Sequence, residues 1–224
     1  MDPLQRLTAA TRERAAAGLH RTLRPRAPGR RLLDLASNDY LGLSGDPRLA
    51  EGAIEAVRTW GAGSTGSRLV TGTTELHTEL ERRLAAFTGM PSALVFSSGY
   101  LANLGAVTAL RPRLIVSDQG NHASLIDGCR LSRAAVTVTP HGDVAAVDAA
   151  LAGAEDAVVL TDAVFSVDGD LAPLRDLHEV VRRHGAILVI DEAHALGVVG
   201  PAAVDVDLVR DLARATAERD GPVC

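Results

Sequence analysis

Short apolar segments alternate with helical segments over most of this chain, and this alternation restricts the fold more than any other feature. Five such segments have the apolar character of buried strands: 93–96, 114–117, 135–139, 157–160 and 187–190. Apolar residues at helical spacing lie between them, near 101–110, 124–131, 144–151 and 174–184. Parallel strands buried on both faces are continuously apolar and need helical crossovers. The pattern therefore predicts an α/β fold with a mainly parallel sheet covered by helices on both faces.

The first part of the chain lacks this regular alternation. Apolar spacing predicts helices over 3–23, 47–60 and 75–88. A strand-like stretch is expected at 32–43, and a glycine-rich loop at 61–72. We therefore expect an amino-terminal segment that precedes the regular α/β part.

Composition and charge exclude several classes of function. The net charge of -5 gives no electrostatic case for nucleic acid or an anionic membrane as a partner. Two cysteines, Cys129 and Cys224, give no disulfide framework, which fits a reducing cytoplasm. No secretory signal is visible, and no apolar run approaches the ~20 residues of a membrane helix. We expect a soluble cytoplasmic protein.

Two apparent motifs do not predict function here. Residues 61–66, GAGSTG, match the dinucleotide fingerprint, but they follow a helix rather than a strand. Residues 191–194, DEAH, spell an ATPase box, but its P-loop partner needs a lysine. All 23 residues in the combined count of lysine and arginine are arginine, so these 224 residues contain no lysine. The seven histidines show no zinc-binding spacing, and we predict no metal site.

The residues that follow the strands predict a site for a phosphate and a ring. Ligands of parallel sheets bind at the carboxyl ends of the strands. Gly99 and Tyr100 begin a helix whose free N–H groups could hold a phosphate, although an ordinary turn explains them equally well. Asp191 ends an apolar strand and would need a cation, such as a protonated pyridine nitrogen. His194 could donate to a phenolic oxygen and His122 could stack on the ring, although a lone histidine is more often structural.

Six stretches of the sequence resemble the α-oxoamine synthases, which are pyridoxal-phosphate (PLP) enzymes of fold type I. They are SNDYLGL (37–43), GAGSTGSRLVTGTTELHTELERRLAAFTG (61–89), ALVFSSGYLANLGA (93–106), SDQGNHASLIDGCRLSRA (117–134), VFSVDGDLAPLRDLHEV (164–180) and DEAHALGVVG (191–200). The resemblance covers the chain from about Leu4 to Gly200, and about the first half of a family member. Its SSGYLAN segment (97–103) is most similar to that of the family branch that makes 8-amino-7-oxononanoate for biotin. Relatives of the glycine C-acetyltransferase, 5-aminolevulinate and serine palmitoyl types share several blocks.

The resemblance implies a cofactor, a set of contacts and a domain plan. PLP would be held by six residues: Gly99 and Tyr100 at the phosphate, His122 on the ring, Ser166 and His194 at the phenolic oxygen, and Asp191 at the ring nitrogen. His122 would also touch substrate, and Arg21 would bind the carboxylate of the acyl substrate. The expected parts are a helix and arm (1–45), an incomplete PLP-binding large domain (46–200) and a family-unlike tail (201–224).

The implied reaction joins L-alanine to a pimeloyl thioester, carried by CoA or a carrier protein, with loss of CO2. The resemblance also implies that the enzyme is a homodimer. The Schiff-base lysine and the carboxy-terminal small domain of the family have no counterpart in these residues, so we expect no catalytic residue here and no activity alone. Three explanations stay open: a gene cut short or frame-shifted near codon 200, an enzyme half completed by a separate chain, and a non-enzymatic binding or regulatory remnant. We also expect poor stability and exposed apolar surface.

Overall fold

The structure, a computed structural model, describes residues 3–27, 29 and 34–199, and the predicted tail 201–224 lies outside them. The described helices are α1 (Pro3–Ala16), α2 (Pro47–Trp60), α3 (Glu75–Thr88), α4 (Gly99–Leu110), α5 (Ala123–Ser132), α6 (Val144–Leu151) and α7 (Leu174–His184). The strands are β1 (Leu114–Asp118), β2 (Ala135–Thr139), β3 (Ala157–Asp162) and β4 (Ile187–Asp191). A 3-10 turn spans Leu43–Gly45. Contacts between Cα atoms divide the chain into two units, Met1–Ser37 and Asn38–Cys224.

The four strands form one parallel sheet in the order β2-β1-β3-β4. The chain passes from β1 to β2 in one direction and from β3 to β4 in the other. Strand connections of the same right hand that run in opposite directions place their helices on opposite faces. The carboxyl ends of β1 and β3 therefore border the crevice in which ligands of such sheets bind.

Helices cover both faces of the sheet, as the apolar pattern predicts. On one face, α4 and α5 pack on β1 and β3 through Val107, Leu125, Cys129, Ile115, Val158 and Leu160. On the other face, α6 and α7 pack on β1, β3 and β4 through Val147, Leu151, Leu177, Val180, Val181, Val116, Val159 and Leu188. Every residue of β3 is buried. The predicted α/β class with a parallel sheet between helices is confirmed.

The first helix ends earlier than its apolar spacing predicts. A helix was expected over 3–23, but α1 ends at Ala16. Gly18 has a φ of 71°, which is the left-handed conformation that commonly closes a helix. The Leu19 amide donates to the Arg14 carbonyl at 2.8 Å and completes this closure. The apolar residues beyond Gly18 therefore belong to irregular backbone.

The strand expected at 93–96 is wrong, because side chains bond its backbone. The Val95 amide donates to Glu81 Oε1 at 2.9 Å, and the Val95 carbonyl accepts from Arg68 Nη1 at 3.1 Å. Arg68 and Glu81 are themselves joined at 2.8 Å. Both backbone groups of Val95 thus have partners without a neighbouring strand.

The strand-like stretch 32–43 is also wrong over its described part, since 34–43 forms turns and irregular backbone. The Asp39 carboxylate accepts from the amides of Leu43 and Ser44 and from the Ser44 hydroxyl. These bonds fold the backbone into the 3-10 turn that precedes α2. They also lower the pKa of Asp39, with the Ser44 hydroxyl as the largest cause.

The second unit exposes large apolar side chains, as the sequence predicts. Among the most exposed are Leu69 at 99%, Phe87 at 69%, Leu94 at 66% and Val138 at 63%. Edge strand β2 keeps four of its five residues exposed. None of the helices in the described part of the chain is long and apolar enough to cross a membrane.

Candidate functional site

Polar side chains gather where β1, β3 and β4 end. Asn121, which follows β1, is buried and uses all of its amide: Nδ2 donates to Ser117 Oγ at 3.0 Å and to the Leu160 carbonyl at 2.8 Å. Its Oδ1 accepts from the Asp162 amide at 3.1 Å. The His122 amide donates to Asp162 Oδ2 at 3.2 Å. This network fixes the end of β3 to the loop after β1.

Asp162 is a buried carboxylic acid with one oxygen that has no partner. Its side chain is 3% exposed, and Oδ1 has no hydrogen-bond partner among the described residues. Burial first, and then the charge of Asp191, raise the pKa of Asp162 to about 6. The two residues lie opposite each other in the register of β3 and β4. Such a pair of carboxylates favours a cation or a hydrogen-bond donor beside it.

Asp191, at the end of β4, is held at both carboxylate oxygens. Asn103 Nδ2, on α4, donates to Asp191 Oδ2 at 2.6 Å. The Ala193 amide donates to Asp191 Oδ1 at 2.8 Å. Asn103 Nδ2 also donates to Ser124 Oγ, on α5, at 2.8 Å. The position of this half-buried carboxylate is therefore set by two helices and by its own turn.

His122 extends this hydrogen-bond chain at the start of α5. Its Nδ1 lies 2.7 Å from Ser124 Oγ and accepts from the Ser124 amide at 3.3 Å. Because Nδ1 acts as an acceptor, the neutral ring carries its proton on Nε2. The side chain is exposed, so this N–H is open to a ligand. The chain of bonds runs from Asp191 through Asn103 and Ser124 to His122, whose amide reaches Asp162.

His194 meets a residue from a distant part of the second unit. The Tyr40 hydroxyl lies 2.5 Å from His194 Nδ1, and the two ring centroids are 6.0 Å apart. A hydroxyl that donates to Nδ1 leaves the proton of the neutral imidazole on Nε2. Tyr40 thus occupies Nδ1 of His194, and Nε2 is the ring nitrogen that could contact a ligand.

The start of α4 offers backbone donors. The Ser98 hydroxyl accepts from the Leu101 amide at 3.2 Å, so Ser98 caps the helix. The first amides of a helix, here those of Gly99 and Tyr100, have no partner within the helix. A Cβ added at Gly99 would meet nothing within 4 Å, so space is open there. The Tyr100 hydroxyl donates to Asp127 Oδ2, and this bond raises the pKa of Tyr100.

Ser166 lies at an exposed turn between β3 and α7. The Phe165 amide donates to the Asp170 carbonyl at 3.0 Å, and the Gly169 amide donates to the Phe165 carbonyl at 2.8 Å. An isolated bridge between Val164 and Leu171 closes the turn. Gly99, Tyr100, Ser166 and His194 are outside the hydrogen-bond chain that links Asp191 to His122. Their joint use stays a prediction.

Arg21 lies in the first unit, in irregular backbone after α1. The other six predicted contacts lie in the second unit. The substrate role of Arg21 therefore stays a prediction.

A family profile decides the class of this chain. The aminotransferase class I and II profile matches residues 30–223. The chain belongs to this family. That membership agrees with the resemblance found in the motifs and with the parallel sheet between helices.

Relatives within the aminotransferase class I and II family carry a consistent name. An 8-amino-7-oxononanoate synthase from Mycobacterium sp. (strain KMS) is 64% identical over 204 residues, covering 89% of this chain and 53% of its own length. The chain thus spans about half the length of the curated relatives it matches. The predicted resemblance to the α-oxoamine synthases, and to this branch of them, is confirmed.

Solved structures support the same fold. Serine palmitoyltransferase from S. paucimobilis, with PLP and myriocin bound, superposes with a TM-score of 0.81 at 30% identity. The superposed region covers 95% of this chain and 60% of the serine palmitoyltransferase chain. An 8-amino-7-oxononanoate synthase from Francisella tularensis superposes with a TM-score of 0.58 at 28% identity, covering 69% of this chain and 43% of its own. The predicted fold type I is confirmed.

Four residues of the site were not singled out from the sequence: Tyr40, Asn103, Asn121 and Ser124. All four lie inside stretches that carry the family resemblance. Asp162, the last residue of β3, is a further residue of the site. Position after a strand was a usable signal for Asn121 and Asp162, whereas nothing local marks Tyr40 or Asn103.

Proposed function

We propose that this chain forms the PLP-binding part of an 8-amino-7-oxononanoate synthase, which joins L-alanine to a pimeloyl thioester and releases CO2. The name shared by its relatives and the PLP in a solved neighbour support this function. The observation that carries the proposal is the Asp191 carboxylate, fixed by Asn103 and the Ala193 amide beside the unpartnered oxygen of Asp162.

The residues present fit this cofactor. A pyridinium N–H is a cationic donor, and it suits a carboxylate that two donors already orient. It would also reduce the repulsion between Asp191 and Asp162, which contributes to the raised pKa of Asp162. The open space at Gly99, at the beginning of α4, suits the phosphate.

Bound PLP supplies an electron sink for the carbanion that develops at the α-carbon of the amino acid. Asp191 would keep the proton on the ring nitrogen, which strengthens that sink. Tyr40 holds Nδ1 of His194, so Nε2 would donate to the phenolic oxygen, with Ser166 as a second donor. The exposed His122 ring would stack on the cofactor and touch the substrate. Gly99 and Tyr100 would bind the phosphate.

No lysine occurs among these 224 residues. A Schiff base to protein, and a lysine that moves the α-proton, would have to come from residues outside them. We propose that the residues outside these 224 and a second subunit complete the enzyme, which acts in the cytoplasm. Arg21 would bind the carboxylate of the acyl substrate. The predicted division into 1–45, 46–200 and 201–224 is part of this proposal. A non-enzymatic PLP-binding module is the second candidate.

The first test is a titration of the purified chain with PLP, followed by absorbance and by fluorescence. We expect saturable binding that Asp191→Asn weakens by about tenfold or more, because a charge-assisted hydrogen bond is lost. Asp176→Asn, an exposed change in the first turn of α7, is the matched control and should bind as the unchanged chain does. Equal affinity of the Asp191 variant and the control would refute the assigned role of Asp191.

The second test adds amino acids to the PLP-loaded chain. L-alanine should shift the absorbance of bound PLP at lower concentration than glycine or L-serine. A preference for glycine would indicate an enzyme of the glycine C-acetyltransferase type. A preference for L-serine would indicate the chemistry of the serine palmitoyl relatives. Either result would overturn the assignment of alanine.

A further inference from the structure

His141 lies between two carboxylates that come from different loops. Its Nδ1 is 2.9 Å from Asp118 Oδ1, at the end of β1, and its Nε2 is 2.7 Å from Asp170 Oδ2. The ring also packs edge-on against Phe165, with ring centroids 4.3 Å apart. Asp170 and Phe165 belong to the Ser166 turn, defined here as residues 163–172. His141 itself follows β2.

The surroundings of His141 leave little freedom. A Cβ at Gly120 would come within 2.9 Å of His141 Nδ1 and 3.2 Å of the Phe165 ring, so only glycine fits there without a shift. Asp118 is also held by the amides of Gly120 and Gly142, both at 2.7 Å. These contacts fix Asp118 and His141 to the His122 loop, defined here as residues 119–122.

The two contacts of the His141 ring with carboxylates require the ring to be protonated. A neutral imidazole has one N–H and can donate to one carboxylate only, whereas the imidazolium donates from both nitrogens. The charged groups that face the ring are Asp118, from the end of β1, and Asp170, from the Ser166 turn. On its own loop, Asp143 is engaged in capping α6 through the Ala146 amide.

We propose that His141 is a positioning residue whose protonated ring clamps the Ser166 turn to the His122 loop. The clamp joins two segments that carry predicted cofactor contacts, so it sets the separation of Ser166 and His122. Its consequence for the cofactor rests on the proposed function, whereas the clamp itself does not.

The direction of the pH dependence follows from the same contacts. The hydrogen bonds to Asp118 and then to Asp170 raise the pKa of His141 above its ordinary 6.5. A group whose pKa is raised by folding stabilises the folded state fully below its ordinary pKa. That stabilisation is lost as the pH rises through the raised value. The clamp is therefore closed below pH about 6.5 and opens as the pH rises through the raised pKa of His141.

Amide hydrogen exchange of the unliganded full chain tests the clamp, with rates corrected for intrinsic exchange. Protection of Phe165 and Gly169, whose amides close the turn, should fall by about threefold to tenfold as rising pH removes the His141 proton. His141→Gln should show the low protection at every pH. His184→Gln, which removes a histidine bonded to Asp148 at 2.6 Å, is the matched control and should keep the wild-type profile.

Unchanged protection in His141→Gln, or wild-type protection that does not depend on pH, would overturn the proposal. Asp170→Asn is the second variant, in case His141→Gln does not fold. It removes only the partner in the turn, and the turn should lose protection while Gly142 keeps it. PLP titration separates the two proposals. If the wild type fails to bind PLP, the proposed function fails, while the exchange profile still decides whether the clamp exists.

Discussion

At the scale of single residues, the two carboxylates at the ends of β3 and β4 differ in how they are satisfied. Asp191 accepts hydrogen bonds at both oxygens, whereas Asp162 accepts one at Oδ2 and leaves Oδ1 buried without a partner among the described residues. Ionising Asp162 therefore costs folding free energy, because burial raises its pKa. Such a cost is typical of a side chain retained for binding rather than for stability.

Asp162→Asn should stabilise the protein at alkaline pH and change it little in acid. A carboxyl whose pKa rises from 3.8 to about 6 loses folding stability as the pH rises between those values. The loss is on the order of 3 kcal/mol, and the unpartnered amide of Asn offsets part of the gain, so we expect about 1–2 kcal/mol. Urea unfolding at pH about 4 and about 8 measures it.

Asp148→Asn is the control for this effect, with the opposite sign. His184 first, and then Arg183, lower the pKa of Asp148, so its charge stabilises the folded state. The Asp148 variant should therefore lose stability at alkaline pH, where Asp162→Asn gains it. A loss of stability in both variants at pH about 8 would refute the buried-charge explanation for Asp162.

At the scale of elements, β3 and β2 belong to one sheet but differ in burial. Every residue of β3 is buried between the two helical layers, whereas β2 lies at the edge with four of five residues exposed. Burial of apolar side chains dominates folding free energy. The side chains of β3 should therefore contribute far more to the free energy of unfolding than those of β2, although both strands have similar apolar sequences.

Val158→Ala and Val138→Ala form a matched pair for this difference. Val158 is 2% exposed and packs between β3 and the α4–α5 layer, so its truncation should cost about 2 kcal/mol. Val138 is 63% exposed, and its truncation should cost less than about 0.5 kcal/mol. Chemical unfolding of both variants measures the difference. Equal costs would contradict the assigned layers.

Elements with complete local signals were predicted well. The bounds of α2 and α3 match the structure, because Pro47 and Asp46 start α2 and Gly89, with a φ of 73°, ends α3. The apolar run 93–96 failed, because the partners of Val95 are side chains distant in sequence. Periodicity reports what a segment can bury, and it cannot report which groups bond its backbone.

In the candidate site, too, the residues with a local signal were predicted, and those placed by distant contacts were not. Asp191 and His122 follow strands, and their positions could be expected from the sheet alone. Asn103 and Tyr40 reach the site through tertiary contacts, across 88 and 154 residues. The sequence carries no local sign of such contacts. The unpartnered oxygen of Asp162 likewise becomes visible only when β3 and β4 are paired.

At the scale of the whole molecule, the absence of lysine from these 224 residues determines how a cofactor can be held. Every binding contact proposed here is non-covalent. The amino terminus is the one primary amine that these residues offer to an aldehyde. Bound PLP should therefore leave the chain on denaturation.

Borohydride reduction of the PLP-loaded chain tests this directly. Intact-mass spectrometry should show no PLP attached to an internal residue, because reduction needs a Schiff base to an amine. Arg58→Lys, an exposed change near the end of α2, is the control for incidental labelling of a surface amine. Stoichiometric attachment to an internal residue of the unchanged chain would contradict the prediction.

The contact between Tyr40 and His194 spans 154 residues, and this separation has a kinetic consequence. The entropy cost of closing a chain segment grows by about 0.6 kcal/mol for each doubling of its length, so local β–α units close first. The site residues should then meet after the folding barrier has been crossed. A ligand that needs them assembled stabilises only the native side of that barrier. It should slow unfolding and leave the rate of folding unchanged.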